Sequence, residues 1–276
     1  MIILAIDTSN QPLSVALLKD ENLLATVTLN NQQKDHSTLL FPVINQLLVQ
    51  AELKPDQLDR IVIAQGPGSY TGLRIGGTAA KMLAFTLKKE LVSVSSLAVL
   101  AAPMTSIDSQ TVIVPLFDAR RQNVFAGVYS YSKGQLVNLV ADQHLALTKL
   151  VEILAVYSKI IFVGGAAHKF GDFLQKNLPQ KDLSWTTGIL DYPQAYQLGL
   201  LGRKKQPLEN IHAYVPAYLR LTQAETQWLA KHQEKLNEAL VENFKSLIFH
   251  DRKRPIPAFS NHILYIHNQN ICYAML

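Results

Sequence analysis

Two stretches of the chain share one design, and that repetition limits the fold more than any other feature. "IILAIDTSNQPLSVALLK" (2–19) and "TVIVPLFDARRQNVFAGVYSY" (111–131) each read as an apolar strand, an aspartate at its end, a short polar turn and a returning apolar strand. Asp7 closes the first strand of one half and Asp118 that of the other. After the first pair, "LLATVTLN" (23–30) reads as a third strand. A helix follows over "HSTLLFPVINQLLVQAEL", with Leu39, Leu40, Val43, Ile44, Leu47, Leu48 and Ala51 at helical spacing, Ser37 as its expected cap and Pro42 inside it. "RIVIAQ" (60–65) is a short buried strand, a second helix is expected from about 69 to 89, and "ELVSVSS" (90–96) returns as a strand. The pattern then restarts, with "KIIFVGGAAHKFGDFLQ" (159–175) read as strand, glycine turn and helix, and "AYQLGLLG" (195–202) opening another helix. A β-β-β-α-β-α order given twice predicts two similar α/β domains with mixed sheets flanked by helices. The length of 276 residues agrees, at roughly 150 residues per domain. The composition break at "AAPMTSIDSQ" sets the expected division: residues 1–104, residues 105–232, and an appended tail, 233–276.

The segment "QGPGSYTGLRIG" (65–76) stands between strand and helix, where nucleotide-binding loops stand. It fits neither common phosphate motif. A P-loop needs lysine and a hydroxyl directly after its second glycine, and here Leu73 and Arg74 follow Gly72. The dinucleotide pattern needs its third glycine where Thr71 stands. A glycine turn opening a helix can still hold an anion through free amides and the helix dipole. Gly72, Gly76, Ala80 and Ala84, four apart, form a ridge of small side chains. Such a ridge lets either the protein's own sheet or another helix approach closely.

Charge and cysteine content restrict the setting. The net charge is +5, which permits a nucleic-acid neighbourhood without requiring one. The basic runs 202–206 and 251–255 read first as solvated faces. Cys272 is the only cysteine, so no internal disulfide can form and a reducing, cytoplasmic setting is expected. No apolar run is long enough for a membrane span, and the N-terminus, interrupted by Asp7, does not read as a signal segment. His36 reads as a capping or surface residue. His168, after a glycine turn, could approach a ligand. H-E-x-x-H and G-x-S-x-G are both absent.

Four segments in collinear order, "ILAIDTSNQPLSVAL", "GPGSYTGLRIGGTAAKMLA", "PLFDARRQNVFAGVY" and "FVGGAAHKF", resemble the TsaB (YeaZ) family over residues 1–232. The resemblance implies a two-domain fold of the actin, sugar kinase and Hsp70 ATPase type, and a part in making threonylcarbamoyladenosine in tRNA. The catalytic relative, TsaD, carries an H-x-x-x-H metal pair, which alignment places at Ser96 and Leu100. Neither side chain suits a transition metal. The resemblance therefore implies a non-catalytic partner of TsaD, with no required cofactor or metal. It would dock on TsaD, support the TsaE ATPase, act downstream of TsaC, and pair with itself when alone; contact with tRNA would be indirect or is left undecided by the resemblance. The implied contact includes Leu40, Val43, Leu47, Tyr70, Gly72, Arg74, Gly76, Ala80 and Ala84. Asp7, Thr8, Ser9, Asp118, Gly164 and Gly165 correspond to a vestigial nucleotide cleft, with room for weak nucleotide binding. The alternative is a nucleotide-dependent phosphotransferase using Asp7 and Asp118. Beyond 232 the resemblance stops. "QEKLNEALVENFKSLIF" reads as an amphipathic helix and "HILYIHNQNICYAML" as two strands, which suggests a fused or read-through fragment.

Overall fold

In the first half, β1 (Ile2–Asp7), β2 (Leu13–Lys19) and β3 (Asn22–Leu29) form an antiparallel meander. Helix α1 (His36–Gln50) leads to β4 (Arg60–Ala64), α2 (Tyr70–Leu87), β5 (Glu90–Val94) and α3 (Ser96–Ala101). β4 and β5 add in parallel, giving the sheet order β3-β2-β1-β4-β5. The second half repeats this sequence. It comprises β6 (Thr111–Asp118), β7 (Asn123–Ser132), β8 (Gln135–Ala146), α4 (Leu147–Leu154), β9 (Lys159–Val163), α5 (Gly165–Lys169), α6 (Gly171–Asn177), β10 (Asp182–Trp185) and α7 (Ala195–Arg203). Its sheet order is β10-β9-β6-β7-β8, the same arrangement as the first. The doubled mixed-sheet fold expected from the sequence is therefore present.

This computed structural model describes residues 1–220 apart from 31–34, 106 and 109. The helix and strands expected in the tail, and Cys272, lie outside the described residues. Among the described residues no helix is long and apolar enough to cross a membrane.

Alternation along the strands divides each sheet into two apolar faces. Leu4, Ile6, Val15, Leu17, Ile61 and Ile63 pack with α1 and α2. Ile3, Ala5, Ala16, Leu18, Val62 and Val92 face the other way, onto Ala195 and Leu198 of α7. In the second sheet, Val114, Leu116 and Phe162 pack with Leu147, Leu150, Phe170 and Leu174. Its opposite face, with Ile113, Phe117, Phe125 and Val163, is covered by Leu97, Leu100 and Ala101 of α3. Each half thus supplies the helix that covers one face of the other half's sheet.

α7 belongs in sequence to the second half, inside the expected 105–232 division, but packs on the first sheet. Residues Met1–Arg220 form one unit. Small residues make the docking close: a Cβ on Gly199 would lie 2.6 Å from Leu18 Cδ1, and one on Gly202 2.3 Å from Val62 Cγ1. Arg60 of β4 fixes the end of α7. Its Nη1 donates to the carbonyls of Gly202, Arg203 and Lys205 at 2.9–3.0 Å, and its Nε to Glu90 at 2.7 Å. A cation at these carbonyls also complements the helix dipole.

The cap of α1 also differs from expectation. The helix begins at His36, one residue before Ser37, with Asp35 in extended backbone before it and no side-chain cap. Thr38 Oγ1 instead donates back to the Asp35 carbonyl. The helix runs on through Pro42 to Gln50.

Candidate functional site

The glycine segment lies directly on the turn after β1. A Cβ on Gly68 would stand 2.0 Å from the Ser9 carbonyl oxygen, one on Gly72 2.1 Å from that of Thr8, and one on Gly76 2.2 Å from Thr8 Oγ1. Only glycine fits at such approaches. The contact is locked by hydrogen bonds. Ser69 N donates to Ser9 O at 2.7 Å, and Thr8 Oγ1 donates to Gly72 O at 2.8 Å. Ser69 caps α2 by accepting from Gly72 N at 3.3 Å, and Gly66 N donates to Ser96 Oγ at 3.0 Å. The amides of Gly66, Ser69 and Gly72 are thus committed within the protein.

Asp7, Thr8 and Ser9 are buried. Asp7 Oδ1 accepts from Ser9 N at 2.8 Å and Ser9 Oγ at 2.7 Å, while Oδ2 has no partner. Burial raises the Asp7 pKa, and the Ser9 bonds only partly offset it. Asp118 has a different setting. Its Oδ2 accepts from Lys169 Nζ at 2.6 Å and its Oδ1 from Arg120 N at 2.8 Å. Partial burial opposes its ionisation, but the Lys169 ammonium and the Arg120 amide outweigh that and hold its pKa below the usual range. No hydrogen-bond partner is shared by the two aspartates. Among the described residues no cluster of three or more His, Cys, Asp or Glu side chains could hold a metal. Asp7 is thus a buried carboxylate and Asp118 an ion-paired one.

Gly164, at φ 107°, is required where the chain passes Leu116: a Cβ there would lie 2.8 Å from its carbonyl oxygen. Gly165 faces open space. His168 pairs with Asp191 at 3.0 Å, and Asp191 also accepts from Thr186. His36 Nε2 lies 3.1 Å from the Gln11 carbonyl and ties α1 to the β1–β2 turn. Ser96 and Leu100, at the positions aligned with the relative's metal ligands, are fully buried. Ser96 bonds Gly66 through both its amide and its hydroxyl, and Leu100 packs in the core beneath α3.

The residues expected at a partner contact fall into two groups. Leu40, Val43, Leu47, Ala80 and Ala84 pack in the core against the first sheet, and Gly72 and Gly76 press on Thr8. In the chain alone the ridge of small residues packs on its own first half. Tyr70 and Arg74 remain on the outside, with the Arg74 guanidinium 5.5 Å from the Tyr70 ring centre. Beside them α1 and α2 expose Phe41 (41%), Val49 (68%), Met82 (49%) and Phe85 (62%). A groove of about 300 Å³ opens between α2 and the segment after α7, lined by Thr78, Lys81, Met82, Phe85, Ile211 and His212. Sequence windows miss it because its walls lie over a hundred residues apart; only the helical recurrence of Thr78, Met82 and Phe85 hints at one side. A polar cluster joining the halves was also missed. Asp142 of β8 accepts from Ser95, which caps α3, and from Tyr129 of β7. Burial, followed by the Asp142 charge, raises the Tyr129 pKa.

Comparison with known proteins agrees with this geometry. Residues 22–228 match a family described as "TsaD: tRNA N6-adenosine threonylcarbamoyltransferase". The tRNA threonylcarbamoyladenosine biosynthesis protein TsaB of Bacillus subtilis is 38% identical over 83% of this chain and 98% of its own length. The TsaB of Escherichia coli is 30% identical over 47% of this chain and 55% of its own length. The crystal structure of YeaZ from Pseudomonas aeruginosa superposes with a TM-score of 0.64 at 25% identity, covering 79% of this chain and all of that one. The chain belongs to the TsaB (YeaZ) family of tRNA threonylcarbamoyladenosine biosynthesis proteins, within the wider family that also holds the transferase TsaD.

Proposed function

We propose that this chain is a non-catalytic subunit that docks on TsaD and supports transfer of the threonylcarbamoyl group to the adenosine next to the anticodon. The observation that carries this is the outer face of α1 and α2. Phe41, Val49, Met82 and Phe85 stand exposed there while the inner faces of the same helices fill the core. Large apolar side chains left exposed on two helices that touch each other favour an interaction surface. The use of Ser96 and Leu100 as core residues supports a subunit without its own metal. In this reading the protein works in the cytoplasm, needs no cofactor, pairs with itself when alone, and assists the TsaE ATPase after TsaC has supplied the activated group.

A phosphotransferase role for Asp7 and Asp118 has one observation in its favour, the unpartnered Asp7 Oδ2. The Lys169 pairing of Asp118 weighs against it, and measured ATP affinity and turnover separate the two readings. Co-purification with the cell's TsaD, followed by assay of modified adenosine after depletion of this chain, tests the main proposal. Normal modification under full depletion would refute it.

A further inference from the structure

The turn between β6 and β7 holds three consecutive non-glycine residues in left-handed backbone: Arg120 (φ 65°), Arg121 (φ 52°) and Gln122 (φ 60°). L-residues enter this region singly and at a cost, and a run of three persists only where its surroundings dictate it. Here they do. Asp118 Oδ1 accepts from Arg120 N. Asn123 donates from its amide to the Arg120 carbonyl, and its Nδ2 donates to the carbonyls of both arginines. Arg220 donates to the Ala119 carbonyl, and Leu147 N to that of Gln122. Every carbonyl from 119 to 122 is therefore satisfied from within the protein.

Glycine would occupy these positions without strain, yet two of the three carry guanidinium groups. Arg120 and Arg121 are exposed, and neither side chain makes a hydrogen bond or ion pair among the described residues. Lys169, on Asp118, and Arg220, on Ala119, stand around the same turn. Two bound cations, Lys169 and Arg220, thus anchor a turn that carries two further guanidinium groups. Exposed planar donors without an internal partner suit phosphate oxygens, and the fixed backbone beneath them leaves only the side chains to order on binding.

We propose that the Arg120–Arg121 turn is a phosphate-contacting element that holds the sugar–phosphate backbone of tRNA. This rests on the biosynthetic reading above and adds a direct RNA contact to it. The test uses the full chain assembled with the TsaD of the same cell and labelled tRNA, titrated from about 50 to about 200 mM salt. The double variant Arg120→Gln/Arg121→Gln should reduce the salt slope by about 1 per arginine and weaken binding by roughly 10-fold or more. Arg120→Lys/Arg121→Lys should keep most of the slope. Arg121→Gly should melt no lower than wild type and still bind tRNA less tightly, which separates loss of the guanidinium from loss of folding. Unchanged affinity and slope in the glutamine variant would overturn the site. So would weakened assembly with TsaD at an unchanged tRNA slope, which would mean an acidic protein face. Weakened ATP binding at an unchanged slope would overturn it in favour of a nucleotide phosphate. The slope is read without any transfer reaction. Normal modification after depletion therefore refutes the biosynthetic reading, whereas an unchanged slope refutes only this contact.

Discussion

Replacing Gly76 by alanine sets two effects of opposite sign against each other. Gly76 lies inside α2, where alanine is favoured over glycine by about 1 kcal/mol. A Cβ built there, however, would stand 2.2 Å from Thr8 Oγ1 and 3.1 Å from Ile63 Cδ1. Thr8 is fully buried, and its hydroxyl is held by the 2.8 Å bond to the Gly72 carbonyl. Turning it aside loses that bond, at about 1 kcal/mol. Forcing a methyl into a filled core costs a further 1–3 kcal/mol, roughly. Packing should win, with a net loss of about 1–3 kcal/mol. For a domain of this size that lowers the melting midpoint by roughly 2–4 °C per kcal/mol. Gly165→Ala is the internal control, since a Cβ there meets nothing within 4 Å. It should leave the midpoint unchanged or slightly raised. The assay is thermal and urea unfolding of the chain alone, beside its assembly with TsaD. If Gly76→Ala is as stable as wild type yet assembles poorly, the small-residue ridge faces a partner and the packing argument is wrong.

Arg60→Ala should cost about 3–5 kcal/mol, because it removes a nearly buried guanidinium that satisfies three carbonyls at the end of α7; a loss under about 1 kcal/mol in urea unfolding would mean that water replaces it. Phe85→Asp, at a side chain 62% exposed, should leave the circular dichroism and melting midpoint unchanged while weakening assembly with TsaD and self-association in sedimentation. The Asp7 pKa is raised in the fold above its ordinary 3.8, so the folded state holds its proton longer than the unfolded chain. The stabilisation from this group is complete below pH 3.8 and fades as pH rises through the folded value. Asp7→Asn should lack that falling limb, so the wild-type-minus-variant stability difference should fall as pH rises. A difference that rises with pH over the same range would reverse the assignment.

Periodicity made the inner strands and the two long helices legible, because β1, β2 and β4 alternate between two covered faces and α1 keeps its apolar stripe for five buried positions. The duplication was legible for the same reason, from Asp7 and Asp118 at matching strand ends. β8, α4 and β10 were not. β8 is an edge strand with only Leu145 buried among its twelve residues, so its letters carry little alternation. The packing of α7 was hidden too. Gly199 and Gly202 look like helix breakers in a window, and their use appears only beside Leu18 and Val62. At the site, glycine spacing announced a close approach but not its target: Thr8 and Ser9 lie some sixty residues away in sequence. Fully exposed side chains such as Val49 and Phe85 follow from the same helical period once the inner face is known.

The reciprocal covering of the two sheets also sets a timetable for synthesis. Val62 and Leu18 leave the ribosome early, but Gly199 and Gly202, which shield them, are made well over a hundred residues later. At about 5–20 residues per second, that interval is on the order of ten seconds. Throughout it the nascent first half carries an apolar face, Ile3, Ala5, Leu18 and Val62, that Val99 of α3 covers only in part and α7 completes. The second half gains α3 as soon as its own strands form, because α3 precedes them. The two halves therefore differ in their need for a chaperone during translation: the earlier-made one waits, and the later-made one completes both.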